Sequence, residues 1–321
     1  MLKMASSTQG SADSELPRPA ITRLKGLNFP WMVTQECLDA VKDYDVWEDD
    51  VWVTSYPKAG THWVMEIVSL IHVNGYQDQI NRNELAAAAE FDYTFEDMTA
   101  SSRRPARSLP QYKIMQGWKS PRAIMTHLTE ELMPAQIYQG KGKAVFVIRN
   151  PKDIAVSLWH FAVAWKFNVM WEDWDYFLDQ YLAGECFYGS WFHHTLNFWS
   201  KHRYDKNFLF LKYEDMKEDI KGAIIQIADF LGKPLSEEAI NRIIEFSSVK
   251  SMKQRFHVAP SSPKTDDCAP SRDRAPIGAP AVMRKGIVGD WKSQFTVAQN
   301  EAFDALYQEK MAGSGLKIRF E

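Results

Sequence analysis

The sequence contains few cysteines, no long apolar run and no excess of basic charge. Three of its 321 residues are cysteines, and their spacing matches no zinc or haem motif. An odd, widely spaced set of this kind favours free thiols in a reducing compartment. No stretch reaches about 18 consecutive apolar residues, which argues against a membrane-spanning helix. Because the net charge is −3, broad nucleic-acid binding is not expected. The chain is predicted to be cytoplasmic.

The N-terminal segment lacks the apolar stretch of a secretory signal peptide. Residues 1–28 are polar and rich in serine and proline, a composition that is typical of disordered segments. They are predicted to form a disordered tail. Residues 29–321 show no second boundary and are assigned to a single domain.

Strand-like apolar runs alternate with helix-like segments in that domain. The runs cover 51–56, 143–149 and 208–213, and each precedes an amphipathic segment. Asn150 and Ser236 are predicted helix N-caps. The alternation predicts an α/β fold with a central parallel sheet and helices on both faces. In such sheets, ligands bind beyond the carboxyl ends of the strands.

The loop "SYPKAGTHW" (55–63) follows the first of these strands. It lacks the nucleoside-triphosphate motif G-x-x-x-x-G-K-[ST], because Lys58 precedes Gly60. One interpretation is a plain strand-to-helix turn. The other is an anion site, in which helix N-terminal amides, the Thr61 hydroxyl and Lys58 hold a phosphate-like group.

Further basic residues lie at a second strand end and after a long proline-rich segment. Arg149 closes the second apolar run, and Ser157 follows about two helical turns later. Arg284 and Lys285 follow residues 259–283, which are predicted to form a loop. Structural ion pairs would explain these cations, and so would a clamp on a second phosphate.

Three segments resemble the signature motifs of cytosolic sulfotransferases: "YPKAGTHW" (56–63), "FVIRNPKDIAVS" (146–157) and "MRKGIVGDWKSQFT" (283–296). The resemblance extends from about Phe29 to the C-terminus, with the motifs in recognisable order. It implies a phosphosulfate-binding loop after the first core strand. It also implies sulfuryl transfer from 3′-phosphoadenosine 5′-phosphosulfate (PAPS) to a hydroxyl group of a phenol, a steroid or another small alcohol, without a metal ion. The nucleotide product would be 3′-phosphoadenosine 5′-phosphate (PAP).

The resemblance also implies a role for individual residues. Those that would cradle the 5′-phosphosulfate or stack on adenine are Lys58, Gly60, Thr61, His62 and Trp63. Those that would bind the 3′-phosphate or complete the nucleotide site are Arg149, Ser157, Tyr213, Ser247, Ser248, Arg284, Lys285 and Gly286. His127, in "MTHL", would be the general base that accepts the proton of the acceptor hydroxyl. The residues that are assigned to catalysis are His127, Lys58 and Ser157.

The sequence departs from the family at two positions and in one loop. Met125 stands where the family usually has lysine, and Val249 stands where it usually has phenylalanine. The loop at 90–118 is longer than in phenol-directed members and contains Arg103, Arg104 and Arg107. These arginines fit either a solvated insertion or a preference for an acidic acceptor. Candidate lining residues of the acceptor pocket, which would equally fit a plain core, are Phe91, Phe161 and Trp165.

The segment "KSQFTVAQNE" (292–301) fits the dimer-forming pattern of the family, K-x-x-x-T-V-x-x-x-E, and predicts a small homodimer interface. Its pattern residues are Lys292, Thr296, Val297 and Glu301.

Two alternative functions stay open. One is a protein that binds PAPS or PAP without catalysis; the other is an enzyme that eliminates water from an allylic alcohol through a transient sulfate ester, as retinol dehydratase does. A nucleoside-triphosphate kinase fits poorly, since its motif order is absent.

Overall fold

A computed structural model describes residues 21–80, 94–96, 108–257 and 284–321 of the chain. The strands of this part of the chain are β1 (Ile21–Leu24), β2 (Leu27–Pro30), β3 (Val51–Ser55), β4 (Thr94–Glu96), β5 (Ser108–Pro110), β6 (Ala123–Thr126), β7 (Lys143–Ile148) and β8 (Phe208–Lys212). Four of them, in the order β6-β3-β7-β8, form a parallel sheet.

The helices connect and cover these strands. Within the described residues they are α1 (Gln35–Ala40), α2 (Thr61–His72), α3 (Gln111–Met115), α4 (Ala135–Tyr138), α5 (Pro151–Ala164), α6 (Trp174–Ala183), α7 (Trp191–His202), α8 (Tyr213–Glu218), α9 (Ile220–Leu231), α10 (Glu237–Phe246), α11 (Val249–His257) and α12 (Val297–Met311). Of these helices, none combines the length and the apolar character that crossing a membrane requires.

The parallel sheet has apolar side chains packed on both faces, which explains why its strands read as continuous apolar runs. On β7, Phe146 packs on one face against Phe198 of α7, with ring centroids 4.6 Å apart. Val145 belongs to the core on the other face, together with Val64 of α2 and Ile224 of α9. The predicted parallel sheet with helices on both faces is confirmed.

Local sequence signals also gave several boundaries correctly. The Asn150 side chain accepts hydrogen bonds from the backbone amides of Lys152 and Asp153, so it caps α5 as predicted. Ser236 likewise caps α10 through the amide of Ala239. The strand β6 was not predicted, because four residues are too few for a periodicity to stand out.

The predicted disordered tail is wrong for residues 21–28. These residues form most of an antiparallel hairpin of β1 and β2, in which Ile21 pairs with Pro30. Distant segments hold the hairpin: Asn28 accepts a hydrogen bond from the amide of Tyr188 at 2.8 Å, and Phe29 is fully buried. A polar composition cannot reveal such tertiary support. Residues 1–20 lie outside the described residues.

The segment at 90–118 is not a plain loop in its described part. Strands β4 and β5 pair antiparallel, and α3 follows directly. The sequence-predicted pocket residue Phe91 and the three arginines at 103, 104 and 107 lie outside the described residues, as does the proline-rich segment 259–283.

Candidate functional site

The loop between β3 and α2 has a backbone that requires glycine where the helix begins. Lys58 and Gly60 both have positive φ angles, of 70° and 111°. A Cβ atom on Gly60 would lie 2.8 Å from Cδ2 of Tyr213, too close for unbonded carbon atoms. The helix α2 then begins at Thr61, whose Oγ1 lies 2.6 Å from Oγ of Ser55. The loop thus leads into the N-terminus of a helix, a position that stabilises anions.

Tyr213, the first residue of α8, contacts this loop and two other segments. Its ring meets the Trp63 ring edge-on, with centroids 5.5 Å apart. The guanidinium carbon of Arg149 lies 4.3 Å from the Tyr213 ring centroid. The phenol oxygen lies 3.8 Å from where a Cβ atom of Gly286 would be. Residues of all three motif segments, 56–63, 146–157 and 283–296, therefore meet around one buried ring.

Arg149 is a buried cation at the end of β7. Its Nη1 donates to the carbonyl of Lys58 at 3.1 Å, and its Nη2 donates to the carbonyl of Ile287 at 3.2 Å. The Asp153 carboxylate lies 3.7 Å from Nη2. The buried Nε has no hydrogen-bond partner among the described residues. The Arg149 guanidinium is held largely by neutral carbonyls, and its Nε is available as a donor. Such a group can bind an anion through two hydrogen bonds.

Two aspartates hold the basic segment that begins at Arg284. Lys285 donates from Nζ to Oδ1 of Asp290 at 2.7 Å, and Arg284 donates to Oδ2 of the same carboxylate. These bonds hold the pKa of Asp290 below its usual value, although burial by itself would raise that pKa. Asp153 accepts two backbone hydrogen bonds from the following turn, at 2.9 Å each. Neither aspartate was predicted as a site residue, because both act through tertiary contacts.

Gly286 and the start of α11 complete this side of the site. Gly286 has a φ of 69°, and a Cβ atom there would lie 2.9 Å from Cγ2 of Val249. The valine that replaces the usual phenylalanine therefore packs directly on this glycine. Ser247 is buried, and its Oγ has no partner among the described residues. Ser248 is exposed, and its Oγ accepts from the amide of Ser251 at 3.2 Å.

A buried acid that was not predicted from the sequence, Glu214, lies beside Tyr213. Its Oε1 accepts a hydrogen bond from the backbone amide of Asn150 at 2.8 Å, which ties α8 to the start of α5. Burial raises the pKa of Glu214 to about 7. The carboxyl group therefore keeps its proton to a higher pH than an exposed glutamate does.

Replacing Glu214 by glutamine is expected to remove a pH dependence of stability. Between about pH 4.5 and 7 the folded state retains a proton that the unfolded state has released, so raising the pH destabilises the wild-type fold. Glutamine keeps an acceptor for Asn150 and cannot ionise. The free energy of unfolding of Glu214→Gln should thus exceed that of wild type by an amount that grows by roughly 3 kcal/mol across this window.

Urea unfolding at intervals from pH 4.5 to 8 measures this difference. The control is Glu218→Gln, which replaces an exposed residue of the same helix. Its difference from wild type in the free energy of unfolding should be the same at every pH. A constant difference between Glu214→Gln and wild type would contradict the raised pKa.

His127 follows β6 and is buried at the same edge of the sheet. Its Nδ1 lies 2.7 Å from the carbonyl oxygen of Ser55, the last residue of β3. Because a carbonyl only accepts, Nδ1 carries the hydrogen, and in the neutral ring Nε2 keeps its lone pair. The ring of Tyr188 contacts the imidazole edge-on at 5.7 Å. Ser55 thereby connects His127 to the loop that carries Lys58.

The part of the site that is predicted to bind the acceptor is apolar near Lys58. The Lys58 Nζ lies 4.4 Å from the ring centroid of Phe161, which packs against Trp165 at 5.8 Å. Met125, which replaces the usual lysine, is buried in the core with Val53. The cation of the family pattern is thus replaced by a side chain of the apolar core.

Two further predicted residues, Ser157 and His62, lie on the helices that follow β7 and β3. Ser157 is half-buried on α5, two turns after Arg149, and His62 is half-buried in the first turn of α2. Their roles in binding and catalysis stay predictions.

Comparison with known proteins identifies related chains. Residues 48–315 match the family model described as Sulfotransferase domain. Sulfotransferase 1A1 of Bos taurus is 36% identical over 288 residues, which cover 89% of this chain and 91% of the relative.

Two solved structures have similar folds. Mouse sulfotransferase SULT7A1 in complex with PAP has a TM-score of 0.70 and 33% sequence identity, over 92% of this chain and 96% of that one. Retinol dehydratase, in complex with androsterone and inactive cofactor PAP, has a TM-score of 0.67 and 25% identity, over 90% and 89%.

Proposed function

The chain belongs to the sulfotransferase family, and on that premise we propose that it transfers a sulfuryl group from PAPS to a hydroxyl group of a small molecule. The observation that carries the proposal is the meeting of three basic motif segments around Tyr213. Gly60, at the N-terminus of α2, lies against this ring, and the guanidinium carbon of Arg149 lies 4.3 Å from its centroid.

The residues fit a nucleotide with two separate anionic groups. Among the buried donors that have no partner within the described residues are Nε of Arg149, Nε of Arg284 and Oγ of Ser247. Gly60 and Gly286 keep the backbone close to Tyr213 and Val249, where a side chain would clash. We assign the N-terminus of α2 to the 5′-phosphosulfate, and the clamp of Arg149, Arg284 and Lys285 to the 3′-phosphate.

The protein's part in the reaction is proton transfer and charge neutralisation. PAPS, when bound, supplies the sulfuryl group. The lone pair on Nε2 of His127 accepts the proton of the acceptor hydroxyl, and the Nδ1 bond to Ser55 stabilises the imidazolium that results. Lys58 and the amides of α2 offset negative charge on the bridging oxygen of the leaving nucleotide. We also assign Ser157, on α5, to the nucleotide site.

Calorimetric titration of the wild-type protein tests the nucleotide assignment. PAP should bind in the micromolar range or tighter, at least about a hundredfold more tightly than ADP, which lacks the 3′-phosphate. Equal affinity for the two nucleotides would contradict a 3′-phosphate clamp.

We also propose a homodimer through the segment at 292–301. Val297 begins α12 with 76% of its surface exposed, an unusual position for a large apolar side chain. Thr296 caps the same helix, and Lys292 pairs with Glu321 at 2.8 Å.

The substitution Val297→Glu is expected to convert the dimer to a monomer, because it places a charge at the centre of a small interface. Sedimentation at several protein concentrations measures this. Val169→Glu, at a second apolar position with 75% exposure that lies outside the segment at 292–301, is the matched control. A wild-type protein that sediments as a monomer at every concentration would contradict the proposal.

A further inference from the structure

A second buried histidine lies directly behind His127. His194, in the first turn of α7, has no exposed surface, and its Nε2 lies 3.0 Å from the carbonyl oxygen of His127. The carbonyl accepts, so Nε2 carries the hydrogen and donates it. The tautomer of His194 is therefore fixed by the backbone of His127.

This bond acts on the residue that carries the proposed base. The His127 ring is held by Ser55 through Nδ1, while the main chain of His127 is held by His194. The two hydrogen bonds constrain one residue at both ends, at the point where the chain leaves β6. They fix the direction in which Nε2 of His127 points.

Within the described residues, the bond to His127 is the polar contact of the His194 ring, and its other neighbours are aromatic rings. The rings of Tyr56, Phe146 and Phe198 surround it, with centroids 5.5, 5.9 and 5.6 Å away. Its Nδ1 is buried and has no partner among the described residues. Burial lowers the pKa of His194 to about 4, so the ring stays neutral at neutral pH. A phenylalanine would fill this space without burying a polar nitrogen, so the bond to His127 is what distinguishes histidine here.

We propose that His194 is a positioning residue for sulfuryl transfer, which holds the His127 backbone so that the imidazole points at the acceptor hydroxyl. The proposal rests on the assignment of His127 as the base. A displacement of about 1 Å at a reacting group can lower the rate by two orders of magnitude.

Two nearly isosteric substitutions separate this role from packing. His194→Gln places an amide donor at about the distance of Nε2, and His194→Met fills a similar volume without a donor. We expect His194→Met to lower kcat at least about tenfold, with the Kd for PAP and the KM for the acceptor changed less than about threefold. His194→Gln should keep kcat within about threefold of wild type.

His202 supplies a matched control on the same helix. It is buried, and its Nε2 lies 3.1 Å from Glu130. His202→Met should lower stability without a selective loss of kcat. If His194→Met does not fold, His194→Asn replaces it, since its amide is too short to reach the carbonyl and should lose kcat relative to His194→Gln.

The proposal is overturned if His194→Met keeps the wild-type kcat, or if His194→Gln loses as much as His194→Met. Parallel losses of kcat and nucleotide affinity, equal to those of His202→Met, would also overturn it. His127→Ala in the same assay distinguishes a failure of the proposed function: if that variant stays active, the base assignment is wrong, whatever the His194 variants do.

Discussion

His127→Ala is expected to lower the rate of sulfuryl transfer by about two to four orders of magnitude, the range that a positioned general base contributes. The Nδ1 bond to the Ser55 carbonyl leaves Nε2 as the basic nitrogen of the neutral ring, and alanine removes it. The affinity for PAP should change little, because the nucleotide contacts are assigned to the loop and the clamp. Single-turnover kinetics with labelled PAPS, together with calorimetric titration of PAP, measure the two quantities separately.

His193→Ala is the matched control for this experiment. His193 lies on α7, its side chain is 57% exposed, and it pairs with Glu131 at 3.3 Å on the surface. Its removal should leave the rate unchanged. Retention of wild-type activity by His127→Ala would contradict the base assignment, and loss of PAP binding in that variant would indicate a structural role instead.

Arg149→Met should weaken PAP binding by at least about a hundredfold, since losing one partner of a buried, hydrogen-bonded charge pair typically costs 2 to 5 kcal/mol. The methionine keeps much of the length of the side chain against Tyr213 while it removes the charge. Affinity for ADP should change less than about threefold, because ADP has no 3′-phosphate for the arginine to bind. Titration of both nucleotides into both proteins gives the comparison.

The titration with ADP separates a role of Arg149 in binding the 3′-phosphate from a role in holding the loop. Arg149 also donates to the carbonyls of Lys58 and Ile287, so its loss could loosen the loop and weaken every nucleotide. An equal decrease for PAP and ADP would therefore assign Arg149 a structural role. Arg149→Lys is the second comparison: it keeps the charge without the planar donors, and we expect an intermediate affinity for PAP.

The central strands and the motif loop were predictable because their signals are local. Continuous apolar runs marked β3, β7 and β8, and Asn150 marked the start of α5 through its own side chain. Parallel strands bring their carboxyl ends to one edge, so the meeting of Arg149 with the first loop followed from the fold class. Nothing in these steps required knowledge of a distant contact.

Apart from the short strand β6, the features that were missed depend on tertiary contacts. The β1–β2 hairpin is held by residues more than 150 positions away, among them Glu185, whose carbonyl accepts from Asn28 at 2.8 Å. Asp290 reads in the sequence as one acid of a short turn, and only the structure shows both Arg284 and Lys285 bonded to it. In "FHHT", nothing local distinguishes the buried His194 from its exposed neighbour His193.

The acceptor pocket is the least predictable part for the same reason. Phe161 lies beside Lys58 and packs on Trp165, which is compatible with a pocket wall and with plain core packing. Aromatic residues at helical spacing take either role. The identity of the acceptor therefore has to be determined by assaying the reaction.

The mass and label of the product formed from sulfur-labelled PAPS test the proposed sulfuryl transfer most directly. Wild-type protein would be incubated with phenols, steroids, primary and allylic alcohols, and acidic hydroxyl compounds, followed by mass spectrometry. We expect a labelled sulfate ester of at least one acceptor class, formed in equal amount with PAP. An unlabelled product that has lost water would indicate elimination instead, and binding of PAP without any product would indicate a binding protein. A protein that neither binds PAP nor transfers label to any acceptor would contradict both the proposed nucleotide site and the proposed reaction.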